Sequence, residues 1–462
     1  MRLFDEINKN KSLIFIDAKE KDKYLIEDIL FDLTKLEKKQ KQLVFLYCNN
    51  QLHSIGIYFS LLKNNFTIAL LNEDLDVHLK DKLERTYLPN VIIDKSRIEI
   101  NNYKDALVKS NSFALSLFKS DKNKPIIHDN VKILLSTSGT TGSPKFVKLS
   151  EENLYENANS ISDYLPINSV DITPLNLPFF YSYGLSVLHT NALKGGAIIC
   201  NTDDVLSKGF WSQFDEFGFT SIAGVPFVYE MLDRIGFRKK KYQTLRYISQ
   251  AGGNLNEKTK QRFLDYCLNN SIEFYVMYGQ TEATARISYV QPSKLSENIN
   301  SIGKPILKGT LLIDNETQEL LYQGPNVFGG YAQKNEDLAV WEELSQLHTG
   351  DLGRKNEEGF YFITGRMKRF IKVFGNRVNL DEIESFLKLK LEGTNFACIG
   401  IEDKNIIVFT DTNVITVEDI KKTVVQELKI HSSVIKHKMI NEFPLTSNGK
   451  INYKELQKSY EL

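Results

Sequence analysis

The sequence predicts an α/β protein. A large N-terminal part of two α/β subdomains and a small β subdomain precedes a small α+β domain at the C-terminus. Three observations point that way. Short apolar runs alternate with amphipathic segments over residues 12–130 and again beyond residue 150, the pattern of a mostly parallel sheet covered by helices. Several of these runs end in glycine-containing loops, where an open α/β sheet holds a ligand beyond its strand carboxyl ends. The pattern then changes twice, to short strand-like runs with turn residues after Ser301 and to a compact unit of fewer than 100 residues after Arg366.

Residues 13–16 read as a strand. Residues 24–36 read as a helix, with Leu25, Ile26, Ile29, Leu30 and Leu33 at helical spacing. Strands follow at 43–47, 67–71 and 91–93, with a helix at 54–62. Residues 101–130 are polar and less regular and lead into a strand at 132–135. Ser150 is placed to cap a helix whose first turn carries Glu151 and Glu152. The segment 176–184, NLPFFYSYG, precedes an apolar helical stretch to Leu193 and a turn at Gly195-Gly196. Further strands read at 197–200, 221–225, 247–251 and 273–277, the last two ending at Gly252-Gly253 and Tyr278-Gly279. Residues 302–330 suggest the small β subdomain. The C-terminal unit reads as a strand at 370–374, a helix at 380–391, strands at 397–401 and 406–410, a helix at 417–428 and a turn-rich tail at 443–450.

Bulk properties exclude several functions. The chain has 462 residues, 42% of them hydrophobic, with formal net charge +0. That is ample for a buried core and gives no case for nucleic acid as a partner. The basic runs at 35–41 and 238–241 read as solvated faces. No apolar run reaches the roughly 18 residues of a membrane span, and the patch at 13–16 is too short for a signal-peptide core. Cys48, Cys200, Cys267 and Cys398 are far apart, which argues against zinc and a disulfide framework. These features point to the cytoplasm, and the richness in Lys, Asn and Ile to AT-rich bacterial coding.

The chemistry centres on residues 134–149, LLSTSGTTGSPKFVKL. Two apolar residues end a strand, eight small or hydroxyl residues follow, and Pro144 and Lys145 close the loop. Such a loop offers backbone N–H groups and hydroxyls to an anionic polyphosphate, with Lys145 adding a mobile positive charge. It is not a Walker A loop, since Gly142 is followed by Ser-Pro-Lys. A flexible linker is the bland alternative. The run YGQTE at 278–282 offers a stacking aromatic, a glycine for close approach, a hydroxyl and a carboxylate suited to a divalent cation; an ordinary strand end is its alternative. Asp351, in HTGDLG, suits two ribose hydroxyls or an Asx turn. Gly365-Arg366-Met367-Lys368 sits at a composition change that suits a hinge. Lys450, in SNGK, lies on a turn-rich tip.

These blocks, in this order and spacing, resemble the AMP-forming adenylate ligase superfamily of acyl-CoA synthetases, peptide-synthetase adenylation domains and luciferases. STSGTTGSPK looks like its phosphate loop, AGGNL and YGQTE like its adenine and magnesium blocks, HTGDLGRKNEEGFYFITGR like its ribose and hinge blocks, and FPLTSNGKINYKEL like its catalytic-lysine block. The resemblance implies an adenylate-forming domain over 1–366, with the phosphate loop at 136–145, and a mobile C-terminal domain over 367–462. It implies that Thr137, Ser138, Gly139, Thr140, Thr141, Gly142 and Lys145 hold the ATP phosphates and that Thr137 and Glu282 hold Mg²⁺. Gly252 and Tyr278 would flank adenine, Gly279 and Thr281 would belong to the nucleotide site, and Asp351 with Arg366 would bind the ribose. Lys450 would bridge the substrate carboxylate and the α-phosphate, Lys145 and Glu282 would share the catalytic work, and Lys368 would be the pivot. Phe180, Tyr181, Gly184 and Gly252 would border the acyl pocket.

Three positions depart from common patterns of the superfamily. Phe146 stands where most members have Gly, Tyr181 where many acyl-CoA synthetases have His, and Gly184 where α-amino-acid-selecting domains have Asp. The last favours a substrate without an α-amino group, because an unpaired ammonium is costly to bury. The implied activity is ATP- and Mg²⁺-dependent activation of a small carboxylic acid, then transfer to the thiol of CoA or of an acyl carrier protein acting in trans. An amide ligase with an amine acceptor, an amino-acid-activating enzyme, an idle nucleotide-binding protein and a P-loop kinase are the competing readings.

Overall fold

The computed structural model describes residues 3–36, 40–120, 125–136, 145–367, 369–373, 376–391, 394–401, 404–412, 414–428, 430–446 and 450–461. The β-branched and aromatic runs form strands where the sequence places them. Leu43–Cys48, Thr67–Asn72, Val91–Ile93 and Ile133–Ser136 run parallel, with Leu46 opposite both Leu70 and Ile93. Every residue of Leu43–Cys48 is buried, as for a parallel strand covered on both faces. These strands are the centre of an eight-stranded sheet in the order Tyr331–Ala332, Phe146–Leu149, Ile133–Ser136, Thr67–Asn72, Leu43–Cys48, Val91–Ile93, Ala114–Lys119, Lys104–Lys109. The two strands flanking residues 137–145 are antiparallel neighbours, with Ser136 opposite Phe146.

A second sheet runs Ser221–Gly224, Tyr247–Gln250 and Glu273–Tyr278 in parallel, then Ser288–Val290 and Lys304–Pro305 antiparallel. A smaller sheet joins Ile172–Pro174, Ala197–Cys200, Ile14–Asp17 and Lys23–Tyr24. The helix Glu151–Tyr164 begins as its sequence indicates: Asn153 N–H donates to Ser150 Oγ (3.0 Å) and Ser150 N–H to Asn153 Oδ1 (2.9 Å).

Two stretches differ from the sequence reading. Residues 24–36 hold only one helical turn, Ile26–Ile29, and a 3₁₀ turn, Thr34–Leu36. The backbone between them is claimed by long-range partners, Phe31 N–H by Ser60 Oγ (2.7 Å) and Asp32 N–H by the Lys109 carbonyl (2.8 Å). Residues 101–130, irregular by composition, contain the hairpin of Lys104–Lys109 with Ala114–Lys119.

The chain divides into two compact units, residues 1–311 with 322–347, and residues 312–321 with 348–462. The second carries most of a four-stranded sheet of Thr310–Ile313, Glu319–Gln323, Leu347–Lys355 and Tyr361–Arg366. It also holds a three-stranded sheet, Phe396–Ile401, Asn405–Thr410 and Ile435–Met439, and the helices Leu380–Lys390, Val417–Leu428 and Tyr453–Glu461. Its core is built on Ile383, Leu387, Val408, Ile420 and Val424. No described helix is long and apolar enough to cross a membrane.

Candidate active site

In the first unit the site grows from the ends of both larger sheets. Thr137, Ser138, Gly139, Thr140, Thr141 and Gly142 lie outside the described residues. Lys145, at the loop's exit, is described, and Phe146 after it is fully buried. The Phe146 ring packs edge-on to Tyr87 (4.8 Å between centroids) and to Phe45 (6.0 Å). Phe146 is therefore a core anchor, fixing where Lys145 leaves the sheet.

The short strand Tyr331–Ala332 lies alongside, with Tyr331 opposite Val147 and Ala332 opposite Phe146. Tyr87 Oη donates to the Ala332 carbonyl (2.8 Å). This pairing brings the Tyr331 ring under Lys145, whose Nζ lies 3.4 Å from the ring centroid. The Tyr331 hydroxyl donates to Glu282 Oε1 at 2.7 Å. Burial, and then the Glu282 carboxylate, push the Tyr331 phenol well above its ordinary pKa, so it remains a donor. Lys145 and Glu282, far apart in sequence, thus meet through Tyr331, which the sequence reading passed over. Its only local signal is an aromatic following Gly329-Gly330 at a strand start.

The run 278–282 occupies the turn between Glu273–Tyr278 and Ser288–Val290. Gly279 is required there: a Cβ would stand 1.9 Å from the Ala285 carbonyl oxygen. Thr281 Oγ1 lies 3.4 Å from Ser182 Oγ at the start of the helix Ser182–Lys194, so this turn meets the segment read as the acyl wall. The Gln280 amide nitrogen is buried without a hydrogen-bond partner among the described residues, a donor suited to a ligand. Gly252 follows the strand Tyr247–Gln250.

On the acyl side, the Phe180 and Tyr181 rings lie 4.6 Å apart. The Tyr183 hydroxyl donates to the Ser249 carbonyl (2.9 Å), with Ser249 Oγ equally close. A Cβ on Gly184 would meet the Pro178 carbonyl oxygen at 2.1 Å and the Leu177 carbonyl oxygen at 2.7 Å. The lack of an acidic residue at 184 therefore has a packing cause: the helix start rests on its neighbour's backbone.

In the second unit, Asp351 and Arg366 are directly opposite on paired strands. Arg366 Nε donates to Asp351 Oδ1 (3.0 Å); Asp351 is 6% exposed and the Arg366 side chain 60%. Glu319 fixes the approach, accepting Gly350 N–H (2.8 Å) and holding His348 Nδ1 at 2.8 Å. Lys368 lies outside the described residues. Lys450 is exposed; the Thr446 N–H donates to its carbonyl (2.7 Å) and its own N–H to Thr446 Oγ1 (3.2 Å).

The first unit thus carries a lysine beside a carboxylate oriented by a tyrosine, and the second unit, taken by itself, carries an Asp–Arg pair and the exposed Lys450. A family profile of the AMP-binding enzymes matches residues 33–332, and the chain belongs to that family. It is 25% identical over 454 residues to the oxalate–CoA ligase of Arabidopsis thaliana, covering 89% of this chain and 87% of that one. It is 24% identical over 480 residues to the 2-succinylbenzoate–CoA ligase of Bacillus cereus (strain Q1), covering 99% and 95%. The solved o-succinylbenzoate CoA synthetase of Bacillus subtilis, in complex with the acyl-adenylate intermediate OSB-AMP, shares the fold with a TM-score of 0.79 over 99% of this chain and 98% of that one, at 19% identity. The same enzyme has been solved with ATP and a magnesium ion (TM-score 0.76, 18% identity, 99% of each chain covered). The α/β architecture with a large N-terminal and a small C-terminal part is the one the sequence predicts.

Proposed function

We propose that this protein activates a carboxylic acid with ATP and passes the acyl group to the thiol of CoA. A carboxylate oxygen attacks the α-phosphorus, the bond to the bridging oxygen breaks, and pyrophosphate leaves with the electron pair. The thiol sulfur then attacks the acyl carbon of the adenylate, losing its proton, and AMP departs. The observation that carries this reading is the assembly of Lys145, Tyr331 and Glu282 at the loop exit, in a chain similar over nearly its whole length to acid–CoA ligases.

The residue roles follow the chemistry. The attack brings two anions together, so fixed positive charge and N–H donors aimed at the phosphates lower the barrier. Thr137, Ser138, Gly139, Thr140, Thr141, Gly142 and Lys145 are assigned to the β- and γ-phosphates. Gly252 and Tyr278 are assigned to adenine, Gly279 and Thr281 to the nucleotide site, Asp351 with Arg366 to the ribose, and Lys450 to the α-phosphate and substrate carboxylate. Lys368 is the assigned pivot of a mobile domain spanning 367–462. Glu282 suits a magnesium ion: Tyr331 fixes Oε1, while Oε2 has no hydrogen-bond donor among the described residues. Thr137 is its assigned companion ligand. Magnesium, when bound, supplies charge neutralisation at the phosphates.

A carrier-protein phosphopantetheine in trans is the second reading for the acceptor, supported by the resemblance of 375–384, GNRVNLDEIE, to carrier-associated adenylation domains. A cytoplasmic setting accords with four buried free thiols, and a bacterial one with the richness in Lys, Asn and Ile. The test is pyrophosphate release over a panel of acids, followed by mass spectrometry of the product formed with CoA, carrier protein or an amine. Lys450→Ala is expected to cut adenylation by orders of magnitude while ATP still binds; near-normal ATP–pyrophosphate exchange in that variant would overturn the assignment.

A further inference from the structure

Arg286 is 3% exposed, and no carboxylate among the described residues pairs with it. Its contacts are all uncharged. Nε lies 3.4 Å from the Met277 sulfur, Nη1 donates to the Ala285 carbonyl at 3.2 Å, and the guanidinium carbon sits 4.3 Å from the centre of the Tyr183 ring. Tyr164, whose hydroxyl donates to the same sulfur (3.0 Å), stands beside it. Two other shielded arginines behave differently. Arg97 binds Glu84 and Asp94, and Arg369 binds Glu384 and Asp381, although both are more exposed than Arg286. A buried guanidinium cannot shed its proton and is costly without an anion.

Its position gives the anion a source. Arg286 lies on the far arm of the YGQTE turn, where the Gly279 backbone rests against its Cα. Tyr183, beneath the guanidinium, is the neighbour of Gly184 in the segment assigned to the acyl wall. A guanidinium is a fixed cationic fork that matches a carboxylate in two parallel hydrogen bonds.

We infer that the acid activated here carries a second carboxylate, and that Arg286, over the Tyr183 ring and beside Tyr164 and Met277, receives it. This deepens the acid-activating function proposed above and rests on it. The carboxylate that attacks ATP and the one that meets Arg286 are different ends of one dicarboxylic acid.

The test is ATP–pyrophosphate exchange with matched pairs, each dicarboxylic acid from oxalate to adipate and phthalate against its monomethyl ester. The wild type is expected to favour at least one diacid over its ester by about tenfold or more in kcat/KM, the scale of a charged hydrogen bond. Arg286→Met is expected to collapse that ratio, and Arg286→Lys to leave it intermediate. The diacid should raise the thermal midpoint of the wild type and not that of Arg286→Met. Equal or better turnover of every monoester by the wild type overturns this inference alone and needs no variant to fold. An unchanged ratio in Arg286→Met overturns it as well. Absence of exchange with every acid, mono- or dicarboxylic, overturns the acid-activating function itself.

Discussion

Glu282 is held by a hydroxyl 49 positions away in the chain. Hydrogen bonds to a charged partner contribute about 1.5–3 kcal/mol, so Tyr331→Phe should lower kcat/KM for pyrophosphate formation roughly tenfold or more. It should also raise the magnesium concentration needed for half-maximal rate. A magnesium titration on the variant checks this, and an unchanged midpoint would leave Tyr331 as packing only. Residue identity in a local block, such as Lys145, Glu282, Asp351 or Lys450, is readable along the chain. Tyr331 and Arg286 are not, because their meaning comes from which groups the sheets bring beside them. Phe146 and Gly184 show the same limit: each reads as a departure from a pattern, and each is explained by a packing partner, the Tyr87 ring for one and the Pro178 backbone for the other.

At the scale of elements, strands and capped helices were legible where burial or a cap dictates them locally. Leu43–Cys48 and the Ser150–Asn153 box are cases in point. The stretch 24–36 was not, since helical spacing of its apolar residues competes there with hydrogen bonds to Ser60 and Lys109. The helix Ser182–Lys194 carries an element-scale prediction through His189. That imidazole is buried, hydrogen-bonded to the Tyr58 hydroxyl (2.7 Å), and burial pushes its pKa down to about 3. An unfolded His titrates near 6.5. Above that pH both states are neutral and the group adds no pH dependence. Below it the unfolded chain takes up a proton the folded one refuses, so stability falls by about 1.4 kcal/mol per pH unit, towards the folded value. Urea midpoints of wild type and His189→Gln between neutral pH and pH 4 should converge on acidification, with the wild type losing more.

At the scale of the whole molecule, the order of the blocks was visible in the sequence. The membership of 312–321 was not, because it depends on Glu319 reaching Gly350 and His348. Each compact unit has its own core, so calorimetry should resolve two transitions. Ile383 is 1% exposed in the core of the second unit. Ile383→Ala should cost that unit about 2–5 kcal/mol and lower one transition only; a single transition moving as a whole would show that the cores unfold together. The eight-stranded sheet has a further consequence, for life in a concentrated solution. One rim is the two-residue strand Tyr331–Ala332, and the other, Lys104–Lys109, exposes Lys104, Asp105 and Lys109 around a single apolar side chain, Leu107. A rim that short, and a rim that charged, give a second copy little to zip onto, so the largest sheet of the fold is guarded against templating fibrils.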